Sequence, residues 1–325
     1  MRKLNPLWSN LDTEKPHESY EDLDTRSALD IVCLMNADGK TVAAAIEPCL
    51  PRIAEAVEAI VQRLRRRGRL FYIGAGTSGR LGALDAAECV PTFNTPPDLV
   101  QSVVAGGAQA LQAAIEEAED DEALAVADLK ARDLSSADIV VGISASGRTP
   151  YVVSALAYAK ELGAATVALS CNRPSRIGEM ADIPIEVPTG PEIVMGSTRL
   201  KAGTAQKMVL NMLSTAAMIR LGKVYRNLMV DLRATNQKLV ERSKHILMLA
   251  TGASYDTASR TLAQAGGSVK GAIVMLELGV SGEQAEQLLR GAQGRLRAVL
   301  ADAGREKAVP KLDGLPLDEL PPDGE

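Results

Sequence analysis

Apolar residues recur at helical spacing from about Ser27 to Arg67, which predicts helices interrupted at Pro48 and Pro51. Beyond them the pattern changes. Short β-branched runs stand at Leu70 to Ile73, Leu99 to Val104, Ile139 to Ile143, Thr166 to Ser170 and Ile183 to Val187. Helical patterns lie between them, from Ser78, from Ala108 to Lys130, from Thr149 to Leu162 and, briefly, near Arg176 to Met180. This alternation predicts an α/β fold, a doubly wound, parallel, five-stranded sheet with N-terminal helices before it, and flavodoxin-like order is the arrangement in which the first and third strands would flank the switch point. After the sheet, apolar-periodic helices run to about Leu221 and from Asn236 to Leu249. Ser254 to Leu300 reads as a small three-helix C-terminal module, punctuated by Gly266-Gly267 and Gly279-Val280-Ser281-Gly282.

The organisation expected is therefore a polar segment over 1–24, loose or draped over a neighbour, and N-terminal helices over 25–68. A ligand-binding sheet domain over 69–225, a helical region over 226–305 and a frayed tail over 306–325, where prolines alternate with Asp and Glu, complete it.

With 325 residues, 46% of them hydrophobic, the chain has ample material for a buried core. A net charge of −5 argues against a nucleic-acid surface. No apolar stretch reaches the roughly 20 residues that span a bilayer, so no membrane partner is expected. Cys33, Cys49, Cys89 and Cys171 show no paired or metal-type spacing, and Met1-Arg2-Lys3-Leu4-Asn5-Pro6 lacks the apolar run of a signal peptide. A reducing, cytoplasmic setting is the expectation. Only two histidines occur, His17 and His245, which disfavours a zinc site or a serine-histidine relay. The acidic run of Glu116, Glu117, Glu119, Asp120, Asp121 and Glu122 reads first as a solvated helix face.

The chemistry concentrates in two loops, Gly74-Ala75-Gly76-Thr77-Ser78-Gly79-Arg80 and Ser144-Ala145-Ser146-Gly147-Arg148-Thr149. Each follows a strand pattern and opens a helical one, so N–H groups and hydroxyls meet at a helix N-terminus, where an anion is favoured. In flavodoxin-like order both loops open at the switch point into one crevice. Gly74, Gly76 and Gly79 match the dinucleotide spacing G-x-G-x-x-G, but the next strand ends in Ala105-Gly106-Gly107, with no acidic residue to hold a ribose. A phosphate monoester fits better. Gly76, Thr77, Ser78, Ser144, Ser146, Gly147 and Thr149 are its candidate ligands.

Tyr72 to Gly82, Leu84-Asp85-Ala86-Ala87-Glu88-Cys89, Gly142 to Tyr151 and Gly196 to Thr204 carry a resemblance to the N-acetylmuramic acid 6-phosphate etherases, which extends from about Leu23 to Leu300. The resemblance implies a sugar isomerase (SIS) domain, a homodimer, no metal or organic cofactor, and removal of D-lactate from N-acetylmuramic acid 6-phosphate. It implies that Glu88 is the proton donor and that Glu119, beside Asp120, is the second catalytic glutamate. Two departures from the family pattern stand out: Val90 where a proline is common, and Asn94 where glycine is usual. Asn tolerates a left-handed backbone, so the second is mild.

Two carboxylates suit such a reaction. An ether leaves as a strongly basic alkoxide unless a general acid protonates it, and the C2 hydrogen of the open-chain sugar must be taken by a base. The expectation is that burial holds one carboxyl protonated, Glu88, while the other, Glu119, stays ionised. Arg199 and Lys201 are candidates for substrate binding or for stabilising the enolate-like oxygen, and equally for capping a helix. Cys89, without a histidine partner, reads as a packed thiol.

Geometry raises a difficulty. An unbroken helix from Ser78 to Glu88 separates them by roughly 15 Å, at about 1.5 Å rise per residue. Either Gly82 ends or bends that helix, or Glu88 serves a phosphate held by the other subunit. Two other functional classes stay open on sequence alone: a sugar-phosphate sensor like the glucokinase regulatory proteins, and an aldose-ketose isomerase acting on an unmodified sugar phosphate.

Overall fold

A computed structural model describes residues 11–232, 234 and 236–304. These divide into two compact units, one of residues 11–90 and 95–217, the other of residues 91–94 and 218–304. The tail expected over 306–325 lies outside the described residues.

The first unit is built on five parallel strands, β1 (Leu70–Gly74), β2 (Val100–Val104), β3 (Ile139–Ser144), β4 (Ala165–Ser170) and β5 (Ile183–Glu186). Their order is β2-β1-β3-β4-β5, which is the flavodoxin-like order. Register is in phase across the switch point, with Leu70 opposite Ile139 and Gly74 opposite Ile143. Both loops therefore leave the sheet at the same height.

Three helices precede the sheet, α1 (Ala28–Gly39), α2 (Thr41–Ile46) and α3 (Leu50–Arg65). Along α3 the buried positions Ile53, Ala56, Val57, Ile60, Val61 and Leu64 fall on one stripe, which packs on β1, β3 and β5. Helices α4 (Gly76–Phe93), α5 (Glu122–Lys130), α6 (Pro150–Glu161) and α7 (Arg176–Met180) fill the crossovers. Phe71, Ile73, Val140, Tyr151, Val152, Leu156 and Leu129 share one buried core cluster where α6 and α5 cover the sheet. Near-continuous apolar runs in β1, β3 and β4 follow from burial on both faces.

Three expectations about the first unit need correction. The helical pattern from Ala108 to Lys130 is not one helix. It breaks into 3-10 turns at Gly107–Leu111 and Glu116–Glu119 before α5 begins. Left-handed Gly106 and Gly107 and an extended-like Ile115 interrupt it, and Asp121 caps α5 by accepting from Leu124 N at 2.9 Å. The acidic run is therefore a turn leading into a cap.

Second, Gly82 does not end α4, which continues to Phe93. It lies where the helix presses on β1, so a Cβ there would sit 2.9 Å from Tyr72 Cβ. Third, of the two alternatives for the polar segment, residues 11–25 are draped over the unit rather than loose. They form short 3-10 turns, and buried Thr13 locks them by donating its N–H to Asn172 Oδ1 at 3.3 Å and accepting from Asn172 Nδ2 at 2.9 Å.

Helix α8 (Lys201–Arg220) follows the sheet. Its first N–H groups are satisfied by fully buried Glu192, which accepts from Lys201 N at 2.8 Å and Ala202 N at 2.9 Å. The second unit holds α9 (Gln237–Thr251), α10 (Tyr255–Gln264), α11 (Val269–Leu278), α12 (Gly282–Gly291) and α13 (Leu296–Asp302) around Leu247, Ile273 and Val274. Four helices, rather than three, stand between Ser254 and the last described residues. Gln293 and Gly294, both at positive φ, split the final pattern in two.

Candidate functional site

The second loop is held by its own hydroxyls. Ser144 Oγ accepts from Gly147 N at 3.0 Å and lies 2.8 Å from Thr149 Oγ1 and 3.3 Å from Ser146 Oγ, while Ser146 Oγ accepts from Arg148 N at 3.2 Å. Gly147 turns the loop at φ +70°, and any Cβ there would strike the Cβ of Ser175. Glu186 fixes Ser175 in turn, accepting from its N and from its Oγ, each at 2.7 Å. Asn172, already tied to Thr13, donates to Ala145 O at 2.9 Å. The loop is braced before any ligand arrives.

The first loop passes into α4 at Gly76, which has φ +54°. Ser78 is buried and donates to Gln206 Oε1 on α8 at 3.0 Å, so its hydroxyl hydrogen is committed to the protein. Thr77 stays on the surface of a cleft of about 840 Å³ that both loops line. Gly76, Thr77, Ser78, Ser144, Ser146 and Thr149 are all on its wall, and the N-termini of α4 and α6 point N–H groups toward it. Gly147 shapes the turn from behind and is not among the lining residues.

Across the cleft, the 3-10 turn brings Glu116, Glu119 and Asp120 to the wall. Glu119 leans directly on the first loop: a Cβ on Gly76 would lie 2.8 Å from Glu119 Oε1. Burial pushes the Glu119 carboxyl above its ordinary value, and the charges of Asp120 and Glu116 push it further against the pull of Arg80. The acidic run thus supplies a carboxylate of raised basicity beside the phosphate cradle.

Other expected site residues are elsewhere. Glu88 is exposed, twelve positions after the first residue of α4, and lies outside the cleft of its own chain. Burial raises the carboxyl of Glu119, the member of the pair expected to act as the ionised base. Arg199 is exposed and does not line the cleft, whereas its neighbour Thr198 does. Lys201 is buried, its Nζ donating to Asp38 Oδ1 at 2.7 Å, and its backbone sits in the Glu192 cap. A helix-capping, core-pairing place explains Lys201 without a ligand. Cys89 is buried, and desolvation followed by the Asp85 charge pushes its thiol up to about 12, which fits a packed side chain.

Sequence reasoning missed Glu14, Arg148 and Arg176, which also line the cleft. Arg148 stood inside the serine motif and was legible there. Glu14 had no local signal, because it reaches the wall only through the long-range Thr13 to Asn172 lock. Among the described residues, no group of three His, Cys, Asp or Glu is placed to hold a metal ion, and no helix is long and apolar enough to cross a membrane.

Two family models match the sheet-bearing part of the chain. Residues 52–160 match the glucokinase regulatory protein N-terminal SIS domain family, and residues 116–216 match the SIS domain family. A phosphoheptose isomerase structure from Neisseria gonorrhoeae aligns with 59% of this chain and 98% of its own at a TM-score of 0.47 and 20% identity. An N-acetylmuramic acid 6-phosphate etherase from Geobacillus thermodenitrificans is 52% identical over 90% of this chain and 100% of its own length. Another from Streptomyces coelicolor is 55% identical over 92% of this chain and 96% of its own. A third, from Exiguobacterium, is 54% identical over 90% of this chain and 100% of its own. The chain is an enzyme of the N-acetylmuramic acid 6-phosphate etherase family.

Proposed function

We propose that this chain cleaves the D-lactyl ether of N-acetylmuramic acid 6-phosphate, releasing D-lactate and N-acetylglucosamine 6-phosphate, as a homodimer in a reducing cytoplasm. One observation carries the reading: a hydroxyl and N–H cradle and a half-buried carboxylate of raised pKa line the same cleft. The cradle holds the 6-phosphate through Gly76, Thr77, Ser146 and Thr149. Glu119, leaning on the first loop, meets the sugar carbons.

In the open-chain aldehyde, C1 acidifies the C2 hydrogen. Glu119 removes that proton, and the electron pair left on C2 expels the lactyl oxygen from C3, giving an unsaturated aldehyde. A general acid delivers a proton to the departing oxygen, so lactate leaves as the alcohol rather than the alkoxide. Water then adds its oxygen to C3 and a proton returns to C2. A base whose pKa lies near the working pH is the most effective, and the environment of Glu119 moves it in that direction.

The general acid we assign is Glu88, carried into the cleft of a partner copy. Its exposure and its place on α4 support this: Glu88 lies twelve residues along a continuous helix from the first loop, outside the cleft of its own chain, where a second copy could receive it. A coupled assay of D-lactate release tests the reading, with turnover of N-acetylmuramic acid 6-phosphate and none of the unphosphorylated sugar expected. Interconversion of glucosamine 6-phosphate or fructose 6-phosphate without lactate release would favour an isomerase instead, and binding without turnover a sensor.

A further inference from the structure

The cleft contains an unanswered charge. Arg148 lines it, and Arg148 Nε is buried with no hydrogen-bond partner. Of the cleft-lining residues described, no other has an orphaned buried side-chain nitrogen or oxygen. A charged donor left unpaired out of water costs free energy, which an anion drawing this guanidinium into the cleft would recover.

The other cleft arginines are differently placed. Arg80 donates Nη1 to Ala110 O at 2.8 Å and directs its charge at Glu119. Arg176 is exposed to solvent at the start of α7. Against these three cations stand Glu14, Glu116, Glu119, Asp120 and Glu179 on the same wall. Any substrate group that brings a further carboxylate into this cleft is repelled unless a cation meets it.

The substrate of the proposed reaction brings two anions. Hydroxyls and N–H groups of the two loops suffice for the phosphate; the lactyl carboxylate, on the substituent that leaves, has no such cradle. We infer that Arg148 recognises the carboxylate of the leaving group through the paired donors of its guanidinium, and so selects 3-O-carboxyalkyl sugar 6-phosphates over plain ones. Geometry favours this. The Arg148 backbone N is fixed by Ser146 Oγ at 3.2 Å, so the side chain is rooted in the phosphate loop and gauges the distance from one anion to the other. A guanidinium matches a carboxylate with two parallel bonds, which an ammonium cannot do.

This inference rests on the etherase reading, and its test separates the two. In Arg148→Gln, kcat/KM for D-lactate release falls about 30- to 100-fold, mainly through KM, as the loss of a charge-assisted hydrogen bond requires. Calorimetric affinity for N-acetylglucosamine 6-phosphate, which has the phosphate but no carboxylate, stays within about threefold of the parent and reports an intact cleft. Arg148→Lys retains charge without the fork and falls between the two; it serves as well if the Gln variant does not fold. Equal losses in both measurements would assign Arg148 to the phosphate and overturn the inference, as would unchanged lactate release. A parent protein that neither releases lactate nor binds the product would overturn the functional reading, and this inference with it.

Discussion

Glu119 shows how one side chain trades stability for chemistry. Burial and two acidic neighbours hold its carboxyl above the unfolded value. A raised carboxyl favours the fold most while protonated, so that contribution is present below the unfolded pKa and is lost as pH rises through the folded one. Glu119→Gln removes the penalty. Its melting temperature is expected to exceed the parent's at neutral pH, with the gap closing in acid, while lactate release drops by about 10²- to 10⁴-fold, the range for a lost general base. A variant less stable than the parent at neutral pH would contradict this account of its environment. Other residues divide between legible and illegible for similar physical reasons. Ser144, Ser146 and Thr149 declared themselves because loop hydroxyls at a helix start have few other uses. Lys201 stayed divided between a ligand and a helix-start role, because sequence gives no sign that Asp38, far away in the chain, takes its charge.

At the scale of elements, the turn carrying Glu119 depends on where α5 begins. Asp121 caps that helix, and Asp121→Ala is expected to cost about 1 kcal/mol in chemical denaturation, the usual worth of an N-cap. The same change loosens the neighbouring 3-10 turn, so KM should rise more than in an equally destabilised variant remote from the cleft. Strands and the helices behind them were readable from β-branched runs and i, i+3, i+4 stripes, and alternation indicated a parallel sheet without fixing its strand order. What escaped was the interruption at 106–121. A single apolar period across that stretch masked the positive φ of Gly106 and Gly107, and the acidic residues looked like a solvated helix face until the turn brought them to the cleft. Asn94, which stands where the family commonly has glycine, does adopt positive φ, 49°, as its tolerance of that region allows.

Within the sheet unit as a whole, the end of the sheet opposite the cleft is secured by an ion pair. Asp138, 1% exposed, accepts from Arg69 N and from Arg69 Nη2, each at 2.8 Å, and from Ser135 N at 2.9 Å, tying β1 to β3 where they start. Burial alone raises an acid, but the Arg69 and backbone donors outweigh it and hold this carboxyl below its ordinary value. Its contribution is therefore present above the unfolded pKa and is lost as pH falls through the folded one. Asp138→Asn is expected to cost about 3 kcal/mol at neutral pH, as for breaking a buried pair, and to converge with the parent below the ordinary carboxylate range. Equal destabilisation at all pH values would point to packing instead.

The claim on which the account turns joins two copies of the chain: a cradle and Glu119 from one, Glu88 from the other. Co-expressing Glu88→Ala with Glu119→Ala subunits tests it most directly, by measuring D-lactate release from the mixed protein. Each homodimer is expected to be nearly inactive, and random pairing restores one complete site in each mixed dimer, so about a quarter of parental activity should return. Activity no higher than that of the two homodimers, in a preparation shown to contain mixed dimers, would contradict a shared site.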